Sequence, residues 1–328
     1  MVLTFKANRP YNHLLLLMYG LIIFWPIYLK ATHCYIQPDS PVLYRWLISS
    51  LNITQSTSSV FFALSTIILL FIQAMLINSI VNRNKLFAKE HYLTGMCYLL
   101  FISFYITKLE LSPALLSSTS ILWILYKLCS LQNMQNPRIG IFNISIVLGL
   151  TTLIYTPTLL FILVIFFALI IARPFKFPEW IMVFVGLLVP YYFISSILFI
   201  NGIKNNSLLP LVDLAIPVIQ FTKWEVSINI LIGLLLLIGF VYIQQNSRKL
   251  LFQSRNNWTI IYFYLFIAIL CPFLNNNSSI GDFIFILSPI CTIGAAFFFY
   301  PKKNLIPSVV HLLLLAFSIY LSYVNVFN

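Results

Sequence analysis

The chain has 328 residues, 61% hydrophobic and 8% charged, with a net charge of +12. A water-soluble domain carries about 25% charged residues, so a surface made from this composition cannot mostly face water. The basic excess does not call for nucleic acid as a partner, because no nucleic-acid motif accompanies it and contact with anionic lipid accounts for it.

Apolar runs of about 18 or more residues with few charges read as membrane-spanning helices. Such runs recur from end to end, whereas a transmembrane barrel would show short alternating segments. Eleven spans are expected, over 12–29, 58–80, 92–107, 112–131, 139–155, 157–172, 178–200, 226–243, 257–274, 281–299 and 305–324. The chain thus reads as all-α: a polytopic transmembrane helical bundle forming a single integral membrane domain, 1–328.

The first run, His13 to Leu29, follows Lys6 and Arg9, as in a signal peptide. Its exit, "PIYLKATHC", has no small-x-small cleavage site, so it is expected to stay as the first span. Beyond it lies "HCYIQPDSPVLYRWLISSLN", residues 33–52. Ser40 reads as an N-cap and Pro41 as the first helical residue. Val42, Leu43, Trp46, Leu47 and Leu51 form one apolar face, opposed by Arg45, Ser49 and Asn52. That pattern predicts a short amphipathic helix in the outer interface, with Asp39 at its start.

In the middle of the chain, "YTPT" puts Thr156 at an N-cap and Pro157 at a first helical position. It makes 139–172 a tight hairpin of two antiparallel arms, about 25 Å each, against a hydrocarbon core of roughly 30 Å. Gly140, Ser145 and Gly149 are small enough for the first arm to pack closely on a neighbour. The turn "RPFKFPEW", residues 173–180, follows. Pro174 ends one helix and Pro178 starts the next, with Glu179 at the favourable end of its dipole. Phe175, Phe177 and Trp180 suit the headgroup layer, and Arg173 and Lys176 act as cytoplasmic anchors, Arg173 also being suited to a lipid phosphate.

Lys and Arg favour the cytoplasmic side. With the amino terminus inside, fourteen of them lie inside, and five, Lys30, Arg45, Lys108, Lys204 and Lys223, lie outside. If 139–172 were one span, everything downstream would flip and the count would become nine against ten. The two-arm reading is therefore preferred.

There is no P-loop, no GxGxxG after a strand and no HExxH, so no cofactor or metal is expected. Cys34, Cys97, Cys129, Cys271 and Cys291 form no CxxC or Cys/His cluster and read as small buried hydrophobes; a Cys34–Cys271 disulfide has little support. Asp39, Glu110, Asp213, Glu225 and Asp282 fall outside, and Glu90 and Glu179 inside. No carboxylate or arginine falls at mid-bilayer, where ion-coupled transporters keep ionisable groups. Gln73, Asn78 and His311 are the deepest polar groups and suit helix–helix hydrogen bonding.

Two resemblances attach to particular stretches. "FIQAMLINSIVNRNKLFAKEHYLTGMCYLL" and "NPRIGIFNISIVLGLTTLIYTPTLLFILVIFFALIIARPFKFPEWIMVFVGLLVPYYF" resemble an uncharacterised family of bacterial inner-membrane proteins, most specifically in "ARPFKFPEW…GLLVPYYF". That implies a multi-pass protein of the bacterial inner membrane and supplies no activity. Residues 30–57 resemble the first outer loop of GT-C glycosyltransferases, which use polyprenyl-phosphate sugars, though the paired acids of many such enzymes are missing.

Three functions are weighed. A membrane subunit or scaffold of cell-envelope assembly, with other membrane proteins and the bilayer as partners, is expected first. The alternative is a GT-C-like glycosyltransferase with Asp39 as general base and Arg45, Lys204 or Lys223 on the phosphate of a polyprenyl lipid. A transporter or flippase is the third, with kinks at Pro190 and Pro289 in its favour. Whether the chain is an enzyme stays open at this point.

Overall fold

A computed structural model describes residues 1–25, 41–50, 59–105, 111–133, 136–200, 223–275, 280–303 and 305–327. Among them there are helices and turns and no strand. In chain order the helices are α1 (Val2–Lys6), α2 (Asn12–Phe24), α3 (Val42–Ser50), α4 (Ser59–Arg83), α5 (Leu93–Ser103), α6 (Pro113–Cys129) and α7 (Pro137–Ile154). After a 3-10 turn over Thr156–Phe161 come α8 (Ile162–Ala172), α9 (Phe177–Ile200), α10 (Lys223–Ser247) and α11 (Phe252–Leu270). Two further 3-10 turns, Cys271–Leu274 and Ile280–Phe283, lead to α12 (Ile284–Phe299) and α13 (Leu305–Phe327).

Among the described residues, six helical segments are long and apolar enough to cross a membrane, and five more are shorter and apolar. Each lies where a span is expected from the sequence. The described cysteines, Cys97, Cys129, Cys271 and Cys291, are all buried and free, as their apolar surroundings suggest; Cys34 lies outside the described residues.

The middle of the bundle is α5, buried along its whole length, flanked by α12, α4 and α2. Polar side chains stitch this core. Gln73 on α4 donates to Ser118 Oγ and Thr119 Oγ1 on α6, both at 2.8 Å, and to Leu115 O at 3.0 Å, and accepts from the Tyr98 hydroxyl on α5. Tyr19 on α2 meets His311 Nε2 on α13 at 3.0 Å, and Ser103 meets Ser318 at 2.6 Å. Gln73 and His311 thus bond helix to helix, as expected. Asn78 is buried, but its Oδ1 has no partner among the described residues.

α9 and α10 sit at the margin and present apolar side chains outward, among them Leu188, Phe199, Leu234 and Leu237. In lipid that is the favourable arrangement, because lipid tails are as apolar as leucine.

One end of the bundle is closed by residues 84–92. α4 stops at a turn in which Lys85 adopts φ 48° and Leu86 N–H reaches back to Val81 O, a Schellman-type ending. Phe87 then packs on Trp258, Phe299 and Tyr300, while Trp258 Nε1 donates to Leu86 O at 3.1 Å. Tyr92 N–H donates to Phe5 O at 2.8 Å, which ties α1 to the start of α5. α1 has no forerunner in the sequence reading. At five residues it is too short to show a helical period, and it exists because Val2 and Phe5 are buried against α5 and α13.

α7 and α9 form the closest helix pair, with a stepwise register. Gly186 faces Phe142 and Ser145, Gly149 faces Leu187 and Pro190, and the Tyr191 hydroxyl donates to Thr152 Oγ1 at 2.8 Å. Residue numbers rise together along both helices, so the two run parallel. The small residues Ser145 and Gly149 do what the sequence suggests.

The break near Pro157 is present: Tyr155 is extended, with φ −147° and ψ 103°. Its details differ from expectation. Thr156 opens a 3-10 turn instead of capping a helix, and α8 begins only at Ile162. Thr158 Oγ1 bonds back to Tyr155 O at 2.7 Å, supplying the local side-chain bond that Thr156 does not. The expected tight packing of the hairpin is corrected: the two arms barely touch, because α7 turns to α9 and α8 to α11.

At "RPFKFPEW", Arg173 is extended before Pro174, the conformation that a following proline favours. α9 opens at Phe177, one residue ahead of Pro178. Glu179 is buried in its first turn and pairs with Arg173 at 3.5 Å. Trp180 stacks on Phe166 at 4.9 Å, whereas Phe175 and Phe177 are exposed.

α3 forms where predicted, but with a different inner face. Tyr44 and Ile48 are buried, and the Tyr44 hydroxyl donates to Leu111 O at 2.9 Å, while Trp46 is 63% exposed. The expected face through Trp46 is therefore corrected. α3 rests on α7, and the inward tyrosine has its hydroxyl satisfied by the Leu111 carbonyl, as a buried tyrosine requires. Pro41 precedes the helix instead of opening it.

Candidate functional site

At the end opposite Phe87, three interruptions in the helices meet. The 3-10 turns at Thr156–Phe161, Cys271–Leu274 and Ile280–Phe283 pack on one another and on the start of α6. Two of the interruptions have a local cause: Pro157 and Pro272 sit at the first turn of their segments, where a missing N–H costs nothing. Together they enclose Asp282, which is 5% exposed.

Asn275 Nδ2 donates to Asp282 Oδ2 at 3.3 Å. Tyr155, also 5% exposed, stacks on Phe285 with ring centroids 5.8 Å apart, and its hydroxyl lies in the field of the Asp282 carboxylate. Phe161 and Tyr264 complete the wall beneath. A carboxylate beside a phenol, at the rim of an apolar bundle, is a place where a proton can be held or accepted.

A second buried acid lies at the same end. Glu225, 6% exposed, is in the first turn of α10, and its charge acts on Tyr105, whose hydroxyl donates to Asn229 Oδ1. Both acids are among those assigned to the outer loops by the sequence, but neither stands out there. Their burial comes from segments far apart in the chain, and no local pattern announces it.

Of the residues singled out from the sequence, Asp39 and Lys204 lie outside the described residues. Lys223 opens α10, with its side chain also outside them. Arg45 is exposed on α3, beside the outward Trp46. Among the described residues no group of three or more His, Cys, Asp or Glu is placed to hold a metal ion.

At the Phe87 end, His91 is fully buried between Phe87 and Phe299, with ring centroids 4.7 and 4.9 Å away. Neither ring nitrogen has a hydrogen-bond partner among the described residues. Burial pushes its pKa down to about 3, and the charge of Lys6 adds to that. Lys6 is itself lowered by burial and donates to Pro301 O at 3.4 Å. Between α2 and α4 runs a purely apolar cleft of about 130 Å³, lined by Gly20, Leu21, Phe24, Leu64 and Ile68.

No family model matches the chain, and neither a curated protein nor a solved structure matches it.

Proposed function

We propose that the chain is an eleven-span protein of the bacterial inner membrane, amino terminus inside, serving as a membrane subunit or scaffold of cell-envelope assembly. The observation that carries the topology is the parallel course of α7 and α9. Two parallel helices in sequence require a crossing between them, and α8 is the only helix available to make it. That crossing is the one on which the charge count of fourteen inside and five outside depends. The resemblance of residues 71–100 and 136–193 to uncharacterised bacterial inner-membrane proteins supports the location.

The scaffold reading draws its support from where polar side chains go. Gln73, Tyr98, Ser118, His311 and Ser318 hold helix to helix through hydrogen bonds. A bundle fixed in this way offers its partners a rigid surface, with the exposed flanks of α9 and α10 as the largest apolar faces.

A second reading, a GT-C-like transferase of polyprenyl-phosphate sugars, is favoured by the buried Asp282 beside Tyr155. That is an acid at the end of the bundle where Asp39, Arg45, Lys204 and Lys223 would also lie.

Complementation separates the two readings. A deletion strain with an envelope defect would receive the Asp39→Asn or Asp282→Asn chain, with protein level in the membrane measured alongside. A scaffold is expected to be restored by both, since asparagine keeps the shape and caps a helix about as well as aspartate. Loss of complementation at normal protein level would move the assignment to the transferase, because an amide cannot take the proton.

A further inference from the structure

The ends of α4 and α6 at the Phe87 side bring together two cations and two aromatic rings. Arg83, in the last turn of α4, lies over the Tyr126 ring at 5.6 Å and donates from Nη1 to its hydroxyl. Lys127, in the last turn of α6, lies 5.8 Å from the same ring and 5.3 Å from that of Trp123. Two positive charges gathered around one ring stand at most about 11 Å apart, the sum of their distances to its centre. The one ion pair among the described residues is elsewhere, between Arg173 and Glu179.

We infer that Arg83, Lys127, Trp123 and Tyr126 form a binding site for the phosphate headgroup of an anionic phospholipid, where the ends of α4 and α6 lie side by side. The chemistry is specific to each residue. The planar guanidinium of Arg83 presents paired donors that match phosphate oxygens. Lys127 lays its stem on aromatic rings and carries its charge to the membrane surface. Trp123 and Tyr126 are the residue types that settle at headgroup depth. Because the Tyr126 hydroxyl accepts from Arg83, its own hydrogen remains to donate. Basic side chains that converge between two packed helices are suited to anionic lipid heads.

Cations in the last turn of a helix also complement its dipole. That accounts for a positive charge at each helix end, but not for the convergence of both on one ring. The inference requires only that the bundle sit in a membrane, so it stands apart from the scaffold and transferase readings.

The test uses the full chain purified in a neutral detergent. Thermal unfolding is followed with added phosphatidylglycerol, with added phosphatidylcholine, and with inorganic phosphate. Phosphatidylglycerol is expected to raise the unfolding temperature of the native chain, while the other two leave it nearly unchanged. R83Q/K127Q should lose more than half of that rise. K302Q/K303Q, which removes the same charge from exposed positions between α12 and α13, should keep it. K127Q alone leaves the Arg83–Tyr126 contact in place and should lose part of the rise, which covers the case in which the double variant does not fold. Equal losses in both double variants, an equal rise from inorganic phosphate, or no rise in the native chain would overturn the assignment.

Discussion

A β-carbon added to Gly149 would sit 2.6 Å from the carbonyl oxygen of Leu187, and one added to Gly186 would sit 2.7 Å from the β-carbon of Ser145. The two glycines notch α7 and α9 into each other from opposite sides. Leu187 O and Phe142 O are backbone atoms and the Ser145 β-carbon is fixed by its backbone, so no rotamer change can relieve a larger residue there.

Gly149→Ala is therefore expected to destabilise the protein by about 1–3 kcal/mol, the usual cost of overpacking. Gly233→Ala is the control, because nothing lies within 4 Å of its added carbon. There, the higher helix propensity of alanine makes the change neutral or favourable by up to about 1 kcal/mol. Unfolding in detergent by graded sodium dodecyl sulfate would read both. Equal effects at the two positions would contradict the close packing of α7 on α9.

Gln73→Leu removes one side chain from four contacts at once and leaves Tyr98, Ser118, Thr119 and the Leu115 carbonyl without it. Interhelical hydrogen bonds in membranes are worth about 0.6 kcal/mol on average, so a loss of about 1–2 kcal/mol is expected. The same unfolding assay checks it, and an unchanged midpoint would show the network to be dispensable.

Much of the helical plan was legible in the sequence, because a span announces itself by length and hydropathy alone. The faces were harder. In α3 the bulky Trp46 outweighed Tyr44 in a reading based on hydrophobicity, yet the hydroxyl of Tyr44 finds Leu111 O, and that decides which residue turns inward. Asp282 and Glu225 could be placed in outer loops but not recognised as buried, since their enclosure depends on turns from separate parts of the chain. The parallel register of α7 and α9 was legible only indirectly, through the small residues that make it possible.

His91 provides a pH prediction. Its folded pKa is about 3, against an ordinary value near 6.5. Below pH 6.5 the unfolded chain binds a proton that the folded chain refuses. Stability is thus fully present above about 6.5 and falls as pH drops toward 3, by at most about 1.4 kcal/mol per pH unit. His91→Phe keeps the ring contacts with Phe87 and Phe299 and should flatten this part of the profile. Parallel pH profiles for the two proteins would rule out His91 as the source of acid sensitivity.

Cysteine labelling tests the orientation. In a Cys34→Ser background, Ser207→Cys should react with an impermeant reagent from outside the cell. Ser247→Cys, in the last residue of α10, should not. The reverse pattern would invert the assignment of sides.

The bond between Tyr19 and His311 joins residues 292 positions apart, and Lys6 reaches Pro301 across 295. In the order of synthesis, α2 enters the membrane while its partner on α13 has yet to be translated. Tyr19 must wait in lipid without that partner, and Ser103 waits likewise for Ser318. Among the described helices, the bundle is thus latched by α13, which is made after all the others. A chain cut short before His311 would hold Tyr19 and Ser103 in the bundle without their partners on α13.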